Sequence, residues 1–219
     1  LGASGSLFLQ GAGGDAKPSV IGMGGVWHVG DWHDVTRAGL TVAREVITKL
    51  AEGLFQVEPR LQCASVDMRW PLVPPPEADE YQALLDNPAS QGTDPKKTAR
   101  RRWAEEQLAR IRDEGGLPEA VDIGLHGIQV GNRVRLIGLE GEPVAELGLL
   151  KFYKNKRKLK IPLGCTDGAQ LYLPTSEMLY EGGYEVTSYF EYHQPSPLAK
   201  GMEHILRDGL DKLRRAGVR

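Results

Sequence analysis

The stretch Val121–Leu139 constrains the fold more than any other. Val121, Ile123 and Leu125 alternate with small or polar residues, Gly131-Asn132 interrupts the run, and "RVRLIGL" returns. Successive side chains on a strand point to opposite faces, so this alternation gives one apolar face. Glycine and asparagine both tolerate the positive φ of a tight turn. The segment therefore predicts a β-hairpin, and a hairpin needs further elements to cover its apolar face.

The rest of the chain supplies candidates for that cover. "LQCASVDMRW" (61–70) reads as another strand, stopped by "PLVPPP". Leu7–Gln10 reads as a short buried strand feeding the glycine loop Gly11–Pro18. Leu40, Ala43, Val46, Ile47, Leu50 and Leu54 recur at helical spacing, with Asp34 placed to cap the start and Gly53 to end the helix. "EADEYQALLDN" predicts a short helix with Pro76 near its first turn. "DPKKTARRRWAEEQLARIRDEGG" predicts a longer one that opens at Pro95 and ends at a double glycine. The narrow apolar stripe of Trp103 or Ala104, Leu108 and Ile111 makes residues 73–118 a helical hairpin. That hairpin is either laid over the domain surface or directed at a partner.

After the β-hairpin, "EGEPVAELGLL" predicts a helix with Pro143 at its first position. Leu159, Ile161, Leu163 and Cys165 alternate as a strand, and "QLYLPT" reads as one more. A closing helix carries Leu198, Met202, Ile205 or Leu206, and Leu213. Interleaved strands and helices without an internal repeat predict a mixed α/β or α+β fold: a mixed sheet with helices packed on it.

Composition excludes several classes. A net charge of -2 over 219 residues gives no global attraction to nucleic acid or anionic membrane. The two cysteines, Cys63 and Cys165, have no metal-type spacing and predict no disulfide framework. No stretch approaches the roughly 20 apolar residues of a membrane-spanning helix. The basic runs Lys96–Arg102 and Lys151–Lys160 read as solvated faces. In the first, Glu105 and Glu106 follow within a turn.

Two places could carry chemistry. In Gly11–Pro18 the glycines let backbone N–H groups approach a ligand, and Asp15 can order the turn; a plain tight turn fits equally. Glu142 stands where a strand gives way to a helix. It is either a functional carboxylate at a sheet edge or a cap on the helix N-terminus. Tyr172 projects from a strand about thirty residues later, a position that usually serves packing. His28 and His33, in "VWHVGDWHD", read as members of a polar, glycine-rich loop.

"LFLQGAGGD", "LIGLEGEPVAELGL" and "YLPTSEMLYEGGYEV", in that order, resemble the neutral/alkaline (non-lysosomal) ceramidase-like family, in particular its bacterial members. The resemblance runs from the first strand to about Val186 and is weakest in the helical hairpin. It implies a zinc-dependent amidase domain acting on a lipid-like N-acyl substrate, with this chain corresponding to the C-terminal half of that domain. It implies that Glu142, matching the family's "GE" turn, and Tyr172, just before Leu173-Pro174-Thr175, are two of four zinc ligands. The other two would be histidines supplied by the N-terminal half or a companion chain. Asp15 and Lys17 fall on the family's catalytic "GD" loop. Lys17 stands where better-known members carry serine, so its role is that of a cation beside developing negative charge, with attack left to zinc-activated water. The family's "N-G-Y" is here Asp167-Gly168-Ala169. A catalytically silent, lipid- or partner-binding scaffold is the alternative. If half a domain is absent, uncovered apolar surface should make the isolated chain dimerise, aggregate or require a companion.

Overall fold

The structure is a computed structural model and describes residues 7–18, 25–150 and 159–219. The fold is α+β, as the interleaved pattern predicts. Strand β1 (Leu61–Pro71) pairs antiparallel with β2 (Ala120–Val130), in register from Leu61 opposite Val130 to Pro71 opposite Ala120. The hairpin turn carries β2 into β3 (Val134–Leu139), also antiparallel. Beyond β3 lie a two-residue strand, β4 (Glu142–Pro143), and the short helix α4 of residues Ala145–Leu149. Strand β5 (Leu159–Leu163) joins the sheet parallel to β3, with Val134 opposite Leu159. A separate two-stranded sheet is formed by β4 and β6 (Tyr172–Leu173), again parallel.

The alternation in β1 and β2 does what it predicts. Met68 and Trp70 on β1 and Val121, Ile123 and Leu125 on β2 are buried on one face, while Asp67, Arg69 and Asp122 are exposed on the other. The buried face is covered by the closing helix α7 (Met202–Arg215), which contributes Met202, Leu206 and Leu213 to the same core. Leu198 belongs to that core but precedes the helix, bridged to Leu72 beyond β1.

The helical hairpin builds a second, smaller core. Helix α2 (Ala78–Asp86) starts after Glu77, so Pro76 lies just outside it. Helix α3 (Pro95–Glu114) is capped by Asp94, begins at Pro95 and ends at Gly115, whose φ of 80° closes it in the left-handed region. Tyr81, Trp103 and Ala104 pack with Phe190. Three side chains then bond a single loop. Trp103 Nε1 donates to the Gln194 carbonyl (2.7 Å), Tyr81 Oη to that of Pro195 (3.1 Å), and Gln107 Nε2 to that of His193 (3.3 Å). The hairpin is laid on the domain, clamped to residues 188–195. Its basic run is not wholly solvated: Arg101 donates to the Leu85 carbonyl at the end of α2 (2.7 Å), and Arg100 stands over the Phe190 ring.

Four expectations need correction. Leu7–Gln10 is not a buried strand. Leu7 and Phe8 are more than 80% exposed, and the segment reaches the sheet only at Gly11, bridged to Leu163. Leu9 is about half covered, and among the described residues Leu7 and Phe8 are left almost bare. Pro143 is not the first residue of a helix, because extended pairing with Leu173 claims it and α4 starts two residues later, after Val144. Cys165 lies past β5, with a φ of 49° that no strand accommodates. The first long helix, α1 (Trp32–Ala51), is capped by Asp31. Asp34, at the third helical position, returns the bond by accepting from the Asp31 N–H. Gly53, with a φ of 97°, follows its end as expected. None of α1 is buried, and Leu40, Val46 and Ile47 are each about half exposed. The helical period is present, but among the described residues no layer buries it. Most of Lys151–Lys160 lies outside the described residues. No helix among the described residues is long and apolar enough to cross a membrane.

Candidate functional site

The Glu142 carboxylate owes its position to a crossing of backbone segments. The Glu142 N–H donates to the Leu171 carbonyl (3.0 Å), and the Val144 N–H to that of Leu173 (3.1 Å). These bonds set Glu142 directly opposite Tyr172 in a parallel register. Neighbours in register project from the same face of a sheet, so the two residues singled out from sequence are brought together. Pro143 and Leu173, the next pair along, are buried and anchor the crossing in the main core.

Whether Glu142 caps a helix is answered by its neighbour. The α4 N-terminus is satisfied by Asp15, whose Oδ1 accepts the Ala145 N–H at 2.7 Å. The glycine loop thus reaches across the chain to cap a helix, and the Glu142 side chain is left for other partners. The loop is held there closely: the Gly14 N–H donates to the Pro143 carbonyl (2.9 Å). A Cβ on Gly14 would sit 2.6 Å from the Glu142 carbonyl oxygen, so only glycine fits. Asp15 therefore stands beside the Glu142 segment in a structural position.

The partners of Glu142 are phenols. Tyr192 donates its hydroxyl to Oε1 at 2.5 Å, and the Tyr172 phenol lies within hydrogen-bonding reach of the same carboxylate. The Tyr172 ring meets those of Tyr184 and Tyr192 edge-on, at 5.5 and 5.8 Å between centroids. Tyr184 in turn donates to Glu191 (2.9 Å). Burial and the adjacent Glu142 carboxylate, which bonds the neutral phenol and repels a phenolate, push the Tyr172 pKa up to about 12. The same two causes raise Tyr192. The Cys165 thiol is also raised, by burial and then by Glu142. The site is a carboxylate ringed by protonated phenols.

Tyr192 is the residue that sequence reading missed. It lies in the 3-10 turn Ser188–Tyr192, after the short helices α5 (Met178–Glu181) and α6 (Tyr184–Thr187). That turn is the segment the α2–α3 hairpin clamps, so the hairpin helps fix Tyr192 against Glu142. Its position in "TSYFEYHQ" carries no spacing that marks it. The motif "YEGGYEV" ends just before it.

Lys17 is placed elsewhere. It lines an open cavity of about 360 Å³ with Trp27, His28, Val29, Asp34 and Val35, and neither Glu142 nor Tyr172 borders that cavity. His28 faces Asp34 there (3.3 Å), and the His33 backbone N–H bonds Asp31 at the start of α1. His28 lies in the loop, as its surroundings in sequence suggest, whereas His33 is not a loop residue but the second residue of α1.

As metal donors, Glu142 and Tyr172 are a hard carboxylate and a phenol oxygen on one face, a set compatible with a divalent cation. Among the described residues no group of three His, Cys, Asp or Glu donors includes Glu142, so the pair makes half a site. One three-donor group does exist among the described residues, at His126, Glu140 and Asp167. Compared with protein-family models, curated proteins and solved structures, the chain matches none.

Proposed function

We propose that this chain carries the second half of a ceramidase-like, zinc-dependent hydrolase site acting on an acyl carbonyl of a lipid-like substrate. The observation that supports this reading is the register pairing of Glu142 with Tyr172. Two residues thirty apart, chosen from separate motifs, meet as a carboxylate and a phenol on one face. Zinc held there would supply Lewis acidity toward a carbonyl and toward water. The remaining donors, two imidazoles in this reading, come from outside the described residues.

The chain's own residues have assignable parts. Tyr192 orients the Glu142 carboxylate by donating to Oε1, and that carboxylate would be the anionic donor to a bound zinc ion. Tyr172 supplies the phenol oxygen. Asp15 and Gly14 lock the glycine loop beside Glu142. Lys17, in a cavity walled by Trp27, Val29 and Val35, offers a cation within an apolar surround, a combination suited to a polar group borne on a hydrocarbon chain.

The test is hydrolysis of a fluorogenic N-acyl amine by the protein produced from its complete gene. Glu142→Gln and Tyr172→Phe should each lower kcat/KM by 100-fold or more, roughly the loss expected when a catalytic metal loses a donor, and Tyr192→Phe by about 10-fold. No hydrolysis of amide or ester substrates by the metal-loaded protein would reject the hydrolase reading in favour of a silent scaffold.

A further inference from the structure

A second cluster of ligating side chains lies on the sheet face opposite α7. On β2, the residues that point toward the core are Val121, Ile123 and Leu125. His126 therefore points outward, and it is only half-buried. Beyond the end of β3, the Glu140 N–H donates to the Gly124 carbonyl (3.0 Å), and the Gly124 N–H donates to Glu140 Oε2 (3.0 Å). This reciprocal pair fixes the carboxylate and directs Oε1 at His126 Nε2, 3.3 Å away. Asp167 closes the group from the turn after β5, so that one donor atom from each of the three lies within 4.8 Å of the others.

Gly124 provides an independent observation. A Cβ there would fall 2.7 Å from Glu140 Oε1 and 2.8 Å from His126 Nε2. The space between imidazole and carboxylate is therefore kept open by the absence of a side chain. An ordinary strand residue at 124 would push both donors apart.

The geometry points to a divalent transition-metal site at His126 Nε2, Glu140 Oε1 and an Asp167 carboxylate oxygen, distinct from the Glu142–Tyr172 pair. Two ligands bound to one ion at about 2.1 Å lie about 3 to 4 Å apart, which matches the imidazole–Glu140 separation. Asp167, on an exposed turn within 4.8 Å of the other two donors, would close in on binding. One imidazole with two carboxylates neutralises a 2+ charge. It suits first-row ions such as Mn2+, Co2+ or Zn2+, since imidazole disfavours Ca2+ and Mg2+. Three protein donors leave positions for water, so the site is open on its solvent side.

Co2+ is the probe, because its visible absorption reports coordination. The 219-residue chain, in which Glu142 and Tyr172 make only half a site, should take up one Co2+ with a visible band. Asp167→Asn, which keeps a residue that tolerates the left-handed backbone at 167, should weaken Co2+ binding at least 10-fold, as should His126→Gln. Glu142→Gln should leave that band and affinity unchanged, which separates this site from the proposed hydrolase centre. Far-UV circular dichroism checks that each variant is folded. The inference is overturned by no Co2+ binding up to millimolar concentration. It is equally overturned if binding survives both Asp167→Asn and His126→Gln, or is lost in Glu142→Gln. In those cases His126 and Glu140 form only a hydrogen-bonded pair.

Discussion

At the scale of single residues, the central question is what a carboxylate surrounded by phenols does. Tyr172 is the most informative of them. Its folded pKa, about 12, lies above the ordinary value of 10 because burial and Glu142 favour the neutral phenol. The folded state thus retains a proton that the unfolded chain gives up first. The stabilisation this provides is complete below pH 10 and is lost as pH rises from 10 toward 12. Chemical unfolding followed across that range should show stability falling with pH, and Tyr172→Phe should flatten the fall. An unchanged pH profile in that variant would mean the phenol does not feel the carboxylate.

At the scale of elements, the glycine loop and the β4–β6 crossing form one unit. Gly14→Ala would force a methyl group to within 2.6 Å of the Glu142 carbonyl, which is backbone and cannot rotate away. The expected cost is about 1–3 kcal/mol, seen as a lowered Tm. Gly116→Ala, where a Cβ meets nothing within 4 Å, should be close to neutral. Equal effects at the two positions would disprove the close packing of the loop on β4.

Most elements were legible because their signals are local. The alternation of β1 and β2, Pro95 at the start of α3, and the apolar stripe of the closing helix each reflect a period or a cap that the chain carries within itself. Glu142 and Tyr172 were singled out for another reason, the resemblance drawn from the motifs around them; what the fold adds is that the two pair in register. What was not legible depends on contacts distant in sequence. Pro143 is extended rather than helical because Leu173 pairs with it, and Asp15 caps a helix 130 residues away. Tyr192 reaches Glu142 through a turn that the α2–α3 hairpin holds. His126 reads as an ordinary strand residue until Glu140 and Asp167 are folded against it. The helix α1 shows the opposite limit, since its period gives the helix and says nothing of what covers it.

At the scale of the whole molecule, apolar side chains are unevenly covered. Trp70, Ile123, Leu125 and Leu173 are fully enclosed, whereas Phe8, Trp32, Val42 and Leu54 stand largely exposed in the first quarter of the chain. An apolar surface of that kind tends to be buried by association. If the chain is completed by a further segment, as the proposed hydrolase requires, the isolated polypeptide should run above its 24.0 kDa mass in light scattering. Adding the completing segment should restore a single species. A monodisperse 24.0 kDa monomer with cooperative unfolding would speak against such completion.

The account's central claim, that Glu142 and Tyr172 are donors to one zinc ion, is tested most directly by zinc content. The protein from its complete gene, purified in a His126→Gln background that disables the other candidate site, should retain about one zinc per chain by mass spectrometry. Glu142→Gln or Tyr172→Phe added to that background should reduce zinc severalfold or more. Near-zero zinc in the His126→Gln protein, or undiminished zinc after both further substitutions, would contradict the claim.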